Sequence, residues 1–272
     1  MIGLRTFGGF DVSLSGAPTG THGFRPRVMA LLALLVGHGS RGISRDKVLG
    51  YLWPESDTEH ARNSLKQALF SLRHASSRPL ILWSPGLLRL NPLLEVDLWS
   101  FQSALGKGED LAAVSLYHGP FLDGFYVSGL LEFERWVELE RARLAAAHAD
   151  ALKALATRAE AAADWAAAVV WWRRVTESEP FSTPAALGLM RALEAAGDPT
   201  AAVEHARRHA ARLRDELECP VADEIVSFVR RLVTRRSAVD GLSPDAVELQ
   251  SVPKGAAARR RVLRGRRKLT AT

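Results

Sequence analysis

Residues 61–75 read ARNSLKQALFSLRHA. At 100° per residue, Ala61, Leu65, Ala68, Leu69 and Leu72 fall on one stripe, and Asn63, Lys66, Gln67, Phe70 and His74 fall opposite. One face is built for a core. The other carries amide and cationic side chains that hydrogen-bond base edges and phosphates, although a helix that simply meets water carries them too. The elements on either side decide between the two.

Upstream, IGLRTFGGFDVSLSG predicts short strands or a hairpin, with Gly8 and Gly9 at a bend and a Ser/Gly turn at its end. FRPRVMALLALLVGHG predicts a buried helix over Val28–Val36, with Pro26 in its first turn and Gly37 and Gly39 as stop signals. ISRDKVLGYLWP predicts a second helix, N-capped by Ser44, with Val48, Leu49 and Leu52 inward and an end before Pro54. Ser56 and Glu59 stand at capping-box spacing and place the start of a third helix, which contains the 61–75 stretch. Downstream, PLILWSPGLLRLNP gives two β-rich runs, Leu80–Trp83 and Leu87–Leu90, joined by Ser84, Pro85 and Gly86. Strands, three helices and a terminal hairpin make a winged helix-turn-helix with an N-terminal sheet, whose third helix enters the DNA major groove.

Charge agrees with that reading. Residues 1–95 hold 11 Lys/Arg against 6 Asp/Glu, residues 96–234 hold 15 against 21, and residues 235–272 hold 10 against 3, so the three parts carry +5, −6 and +7. A polyanion would meet the ends and not the centre. A single cysteine, Cys219, excludes an intramolecular disulfide framework and a cysteine zinc site. No apolar run approaches 18 residues and the N-terminus lacks a secretory pattern, so a soluble, cytoplasmic protein without membrane contact is expected.

The order of elements from Phe24 to Ala75, the tryptophan and acid of YLWPE (residues 51–55), and the arginine-bearing helix with its SLR triplet (residues 71–73) resemble the DNA-binding half of the Streptomyces antibiotic regulatory protein (SARP) family. That domain is similar to the output domain of OmpR-type response regulators. The phrases VDLWSF and LYHGPFLDGF (residues 96–101 and 116–125) resemble the bacterial transcriptional activator domain that follows it in the same family, so the resemblance covers about residues 2–233. It implies a transcriptional activator that contacts RNA polymerase.

Beyond Val96 the sequence becomes helical and alanine-rich. An internal repeat is visible independently of the resemblance: DWAAAVVWWRRV from Asp164 aligns with DPTAAVEHARRH from Asp198, an offset of 34, the tetratricopeptide period. Ala168 and Ala202 are small where two helices approach, Trp172 is large one turn later, Pro180 ends the first unit, and Leu152 and Leu155 precede Ala186 and Leu189 by the same offset. The second unit lacks an aromatic at Ala206 and a proline at Arg214, which leaves open a long capping helix in its place. The expected fold is therefore mainly α: a winged helix over residues 1–95, a tetratricopeptide-like helical domain over 96–234 and a basic tail over 235–272.

The candidate DNA-facing set is Arg62, Asn63, Lys66, Gln67, Arg73 and His74. Asn63, Lys66 and Gln67 stand nearest the middle of the face, while Arg62 and Arg73 flank it and are expected to meet phosphate. Phe70 would contact a thymine methyl or pack against the wing or the second domain. Arg89 in the hairpin is a minor-groove candidate, and Arg25, Arg45 and Lys47 are backbone candidates near helix termini. His205 and His209 stand four apart but lack a third ligand at fitting spacing, so no metal is expected there. Walker A, G-x-S-x-G, H-E-x-x-H and dinucleotide glycine patterns are missing, so neither catalysis nor a cofactor is expected. The tail holds seven basic residues between Arg259 and Lys268 and reads either as a solubilising segment or as a phosphate-attracting one.

Together these readings give a regulator that binds double-stranded promoter DNA through its third helix and contacts itself, as a homodimer, or RNA polymerase through its helical part. The rival reading is a protein-interaction scaffold whose winged helix no longer binds DNA.

Overall fold

Among the described residues, backbone pairing begins at Gly3. The structure, a computed structural model, describes residues 3–14, 17–18, 24–74, 79–84 and 86–240. Strands β1 (Gly3–Arg5) and β2 (Asp11–Leu14) are antiparallel, with Leu4 opposite Val12, and β3 (Ala17–Pro18) pairs with β2. The chain turns between them through Gly8 at φ 68°, where a Cβ would also stand 2.9 Å from the His118 carbonyl oxygen. Ser15 and Gly16, read as a turn, lie outside the described residues.

Helix α1 (Pro26–His38) starts on its proline, and every residue from Val28 to Val36 is buried, so it forms the centre of the core. Gly37 lies inside this helix and is not a stop signal. A Cβ there would stand 2.5 Å from the Trp136 ring, so the glycine is required by close packing, and the helix ends instead on Gly39 at φ 52°. After a 3₁₀ turn come β4 (Ile43–Ser44) and α2 (Arg45–Leu52), where the Ser44 hydroxyl accepts from the Lys47 N–H at 3.3 Å. Val48 and Leu52 are buried, and Leu49 is half-buried.

Helix α3 (Thr58–His74) is capped by Asp57 and not by Ser56. The Asp57 carboxylate accepts from the Glu59 and His60 N–H groups at 3.1 and 3.0 Å, while its carbonyl accepts from Ala61. Those bonds, with the His60 ring, hold the Asp57 carboxyl below its usual range. The wing is β5 (Ile81–Ser84) and β6 (Leu87–Leu90), antiparallel, in a three-stranded sheet ordered β4-β6-β5. Pro85 lies outside the described residues.

Strand β7 (Glu95–Val96) then runs parallel to β1 and completes the first sheet, ordered β3-β2-β1-β7. It leads directly into α4 (Asp97–Lys107), followed by α5 (Asp110–Leu116). Asp97 ties the two ends of this part together: its carboxylate accepts from the Thr6 N–H (2.7 Å), the Thr6 hydroxyl (2.6 Å), the Phe7 N–H (2.9 Å) and the Leu98 N–H (2.7 Å).

Helix α6 (Leu131–Ala161) has 31 residues and is about 46 Å long. Its first half contributes Phe133, Val137 and Leu144 to the core that begins at Leu4 and includes α1, α3, Leu98, Phe101 and Phe121. Its second half contributes Ala151, Leu152 and Ala156 to a second core, shared with α7 (Trp165–Ser178), α8 (Thr183–Ala195), α9 (Pro199–Leu217) and α10 (Asp223–Asp240). The first core thus runs across residue 96, and α6 is the beam shared by both. Consecutive helices from α6 to α10 pack on one another, the arrangement of a stacked repeat.

The 34-residue period is visible in the caps. Asp164 accepts from the Ala167 N–H at 3.0 Å, and Asp198 accepts from the Ala201 N–H at 2.9 Å. Ala168 and Ala202 are both buried. Helix α9 pairs with α8 and continues through Arg214, which accounts for the missing proline, and α10 covers it. Helix α10 continues past residue 235 to Asp240, so the tail begins later than composition indicates; residues 241–272 lie outside the described residues.

Among the described residues, no helix is long and apolar enough to cross a membrane. On α6, His148 is buried, stacks on Tyr117 at 4.2 Å, and leaves Nε2 without a partner among the described residues. Burial, with Arg174 nearby, pushes its imidazole down to about 4. A histidine whose folded pKa lies below its unfolded value of about 6.5 must stay neutral in the fold, so stability falls as pH drops below 6.5 and stops falling near the folded value. His205 is likewise pushed down to about 4. After discounting for solvent screening, the two together are expected to lower stability by about 2 kcal/mol between pH 7 and 5. Urea unfolding across that range checks this, and His148→Phe, which keeps the stack and removes the titration, should shrink the loss by about half.

Candidate nucleic-acid interface

Helix α3 is amphipathic because its buried residues recur at three and four: Ala61, Leu65, Ala68, Leu69 and Leu72 all face the core. That fixes the rotation of the helix, and the opposite side chains must point outward. Arg62, Asn63, Lys66, Gln67, Arg73 and His74 are all exposed. Asn63, Lys66, Gln67, Phe70 and His74 follow one another at three and four residues and form one continuous strip.

Phe70 is 64% exposed, so it is not taken up into the core that holds the wing and the segment before α6. Its partner is His74, whose ring lies 3.9 Å away and whose Nδ1 stands 2.9 Å from the Phe70 carbonyl oxygen. The end of the strip is therefore a tilted ring pair, the planes 33° apart.

The cationic candidates at helix termini are spread around this strip. Arg25 is the exposed N-cap of α1 and makes no side-chain cap bond. Arg45 and Lys47 are exposed in the first turn of α2, and the Arg45 N–H donates to the Gly86 carbonyl at 3.4 Å, which ties α2 to the wing. Arg89 pairs across the wing with Leu82 and lies over Gly42, where a Cβ would meet its Cγ at 2.6 Å. Its Nε is buried without a partner among the described residues, and Arg89 stands back from the hairpin tip.

The structure adds a neighbour that periodicity does not reveal. A cleft of ≈ 790 Å³ brings Arg25 and Gln67 to one surface, with Ser64 and Ser71 of α3, Arg27 of α1, and Tyr126 and Ser128 from the segment before α6. Tyr126 is 69% exposed. The position of this segment is set from a distance: the Val127 N–H donates to the Glu134 carboxylate at 2.9 Å, and Arg141 donates to the Phe121 and Leu122 carbonyls at 2.7 and 2.6 Å. Among the described residues, no group of three or more His, Cys, Asp or Glu could hold a metal ion.

Fold and site together define a winged helix whose core continues into a stack of paired helices. Residues 107–232 match the family model of the bacterial transcriptional activator domain. The structure is similar to that of Mycobacterium tuberculosis EmbR in complex with low affinity phosphopeptide, with a TM-score of 0.63 and 20% sequence identity over 86% of this chain and 65% of that one. At that identity the likeness is one of fold, and the phosphopeptide belongs to EmbR. No curated protein matches the chain. The chain thus places a winged-helix fold ahead of a segment, residues 107–232, that is similar to the bacterial transcriptional activator domain, and it spans just under two thirds of the EmbR chain.

Proposed function

We propose that this protein binds double-stranded promoter DNA through α3 and activates transcription, with the helical stack contacting RNA polymerase or a second copy of the chain in the cytoplasm. The observation that carries the reading is the exposed strip of Asn63, Lys66 and Gln67 on a helix whose rotation is fixed by its buried leucines. Amides can each make two hydrogen bonds to adenine in the major groove, and the lysine can donate to guanine. Arg62 and Arg73 flank the strip, and Arg25, Arg45 and Lys47 at the helix termini suit phosphate contacts that set register. Arg27, Tyr126 and Ser128 extend the phosphate-facing surface beside Gln67. The division of labour assigns DNA to residues 1–95, with Tyr126 and Ser128 added from the second part, and partner contacts to the rest of 96–234, with the basic tail from 235 adding sequence-independent attraction.

The test uses the full chain, because the core around α1 draws on Phe101, Phe121 and Phe133 from beyond residue 96. Selection of bound fragments from random DNA is expected to return a reproducible motif. Against that motif, Asn63→Ala or Gln67→Ala should lose about 1–3 kcal/mol and relax choice at one or two base positions, with random DNA bound nearly as before. Arg62→Ala or Arg73→Ala should weaken motif and random DNA alike and reduce the salt slope by roughly one unit. Binding of both DNAs by all four variants at parental strength would make the strip a solvated surface.

A further inference from the structure

The helical stack holds a second groove, far in sequence from α3. It has a volume of ≈ 630 Å³ and is lined by α7, the connection 179–182, α8 and α9. One wall is apolar, from Phe181, Leu189 and Leu193. The other carries Arg173, Arg208 and Arg212 around His205 and His209, which are one turn apart on α9. His209 is 4% exposed. Both imidazoles have a buried Nε2 with no hydrogen-bond partner among the described residues.

Two unpartnered ring nitrogens in one groove require a physical reason, since buried polar atoms are ordinarily paired. A metal ion does not supply it, because every charged or titratable group acting on His205 is basic: Arg208, His209, Arg212 and Arg173. Among the described residues none of the groove's acidic side chains bonds the histidine pair, and the Glu216 carboxylate beside Arg212 is the one an arriving carboxylate would displace. Glu179 is bonded to Lys153 at 2.7 Å, Glu216 lies 3.6 Å from Arg212, and Glu177 lines the rim of α7. Arg173 is exposed and makes no salt bridge among the described residues, unlike Lys153, Arg208 and Arg212. We propose that this groove is a binding site for an acidic peptide segment of a partner protein, with a carboxylate held by Arg173, Arg212 and the His205–His209 pair and an adjacent apolar side chain against Phe181, Leu189 and Leu193.

The groove spans four successive elements and is apolar along one side, which fits an extended chain with alternating acidic and apolar residues. An arriving carboxylate reverses the local field. Burial, first, and the arginines, second, push His205 down to about 4 in the free protein. Burial also lowers His209, opposed by the Pro180 carbonyl, and Arg212 lowers it further. A bound carboxylate raises both, so binding takes up protons and tightens as pH falls from neutrality through the bound-state values.

The probe is a labelled peptide of four Asp-Leu repeats, titrated into the full chain and followed by fluorescence anisotropy and by the histidine ring signals in NMR. Its aspartates stay ionised across the range used. Saturable binding is expected, with shifts of the His205 and His209 signals and a Kd about tenfold tighter at pH 5.5 than at 7.5. Arg173→Gln and Arg212→Gln should each weaken it about tenfold while leaving DNA binding unchanged, which separates this site from the α3 reading. Both arginines are at the surface, so these variants hold the test even if His209→Gln does not fold. Equal binding of an Asn-Leu peptide, binding of free glutamate as tight as that of the peptide, or unmoved histidine signals would each overturn the proposal.

Discussion

Replacing Asp97 by alanine is expected to lower stability by about 3 kcal/mol or more and the melting temperature by roughly 6–12 °C. The carboxylate accepts from the Thr6 N–H, the Thr6 hydroxyl and the Phe7 N–H, all within 2.9 Å. Thr6 is completely buried, so its donors have no route to water once Asp97 is gone, and each unpaired group costs about 1–3 kcal/mol. Asp97→Asn should recover part of the loss, since one carbonyl oxygen still accepts while the new NH₂ faces donors. The consequence reaches beyond the local bonds. Residues 6–8 are also held by the segment near residue 121, through Leu122 N–H to the Thr6 carbonyl at 2.7 Å and Gly8 N–H to the Pro120 carbonyl at 3.1 Å. Loosening Thr6 therefore loosens the segment that leads to Tyr126 and Ser128, on the wall of the cleft beside Gln67. The check is chemical unfolding of the wild type and the two variants, with DNA binding measured below the transition.

Asp97 also shows which part of the fold was readable from sequence. Period and turn chemistry are local signals, so α1, α2, α3, the wing and the 34-residue repeat all followed from spacing. The errors occurred where one residue type serves two local purposes. Ser56 and Asp57 are adjacent cap residues, and the choice between them rests on which oxygen reaches the Glu59 and His60 N–H groups. Gly37 resembles a helix stop, yet it is a contact with Trp136, 99 residues away. Composition changes at residue 96, but packing does not: the core around α1 continues to Leu144, and α6 serves both cores. The same limit applies to the candidate interface. The rotation of α3 was legible because its leucines recur at three and four, while Tyr126 and Ser128 reach it only through bonds to Glu134 and Arg141, which no local pattern encodes.

Trp172→Ala is expected to have the largest effect in the helical stack, about 3–5 kcal/mol, because it combines a large cavity with an unpaired acceptor. Trp172 is buried, its Nε1 donates to the Glu160 carboxylate at 2.8 Å, and its ring lies where a Cβ on Gly188 would stand, 2.6 Å from Cδ2. Gly188 sits in the interior of α8, where glycine lowers helix stability by about 1 kcal/mol relative to alanine, so close approach of the indole is its physical justification. Gly188→Ala should therefore destabilise by about 1–3 kcal/mol despite better helix propensity, since the ring has to move. Combined with Trp172→Ala, the same alanine should become neutral or stabilising, a coupling well above 0.5 kcal/mol in a double-mutant cycle. Additive effects would mean that the two residues do not share the space. The cycle also tests how the two cores cooperate. Trp172 belongs to the core built from Ala151 onward, whereas α3 is held by the one that ends at Leu144. If the halves of α6 unfold separately, Trp172→Ala should split the unfolding curve into two transitions, with only the earlier one shifted and DNA binding retained between them. A single shifted transition would instead show that α6 transmits loss of the stack directly to the DNA-facing helix.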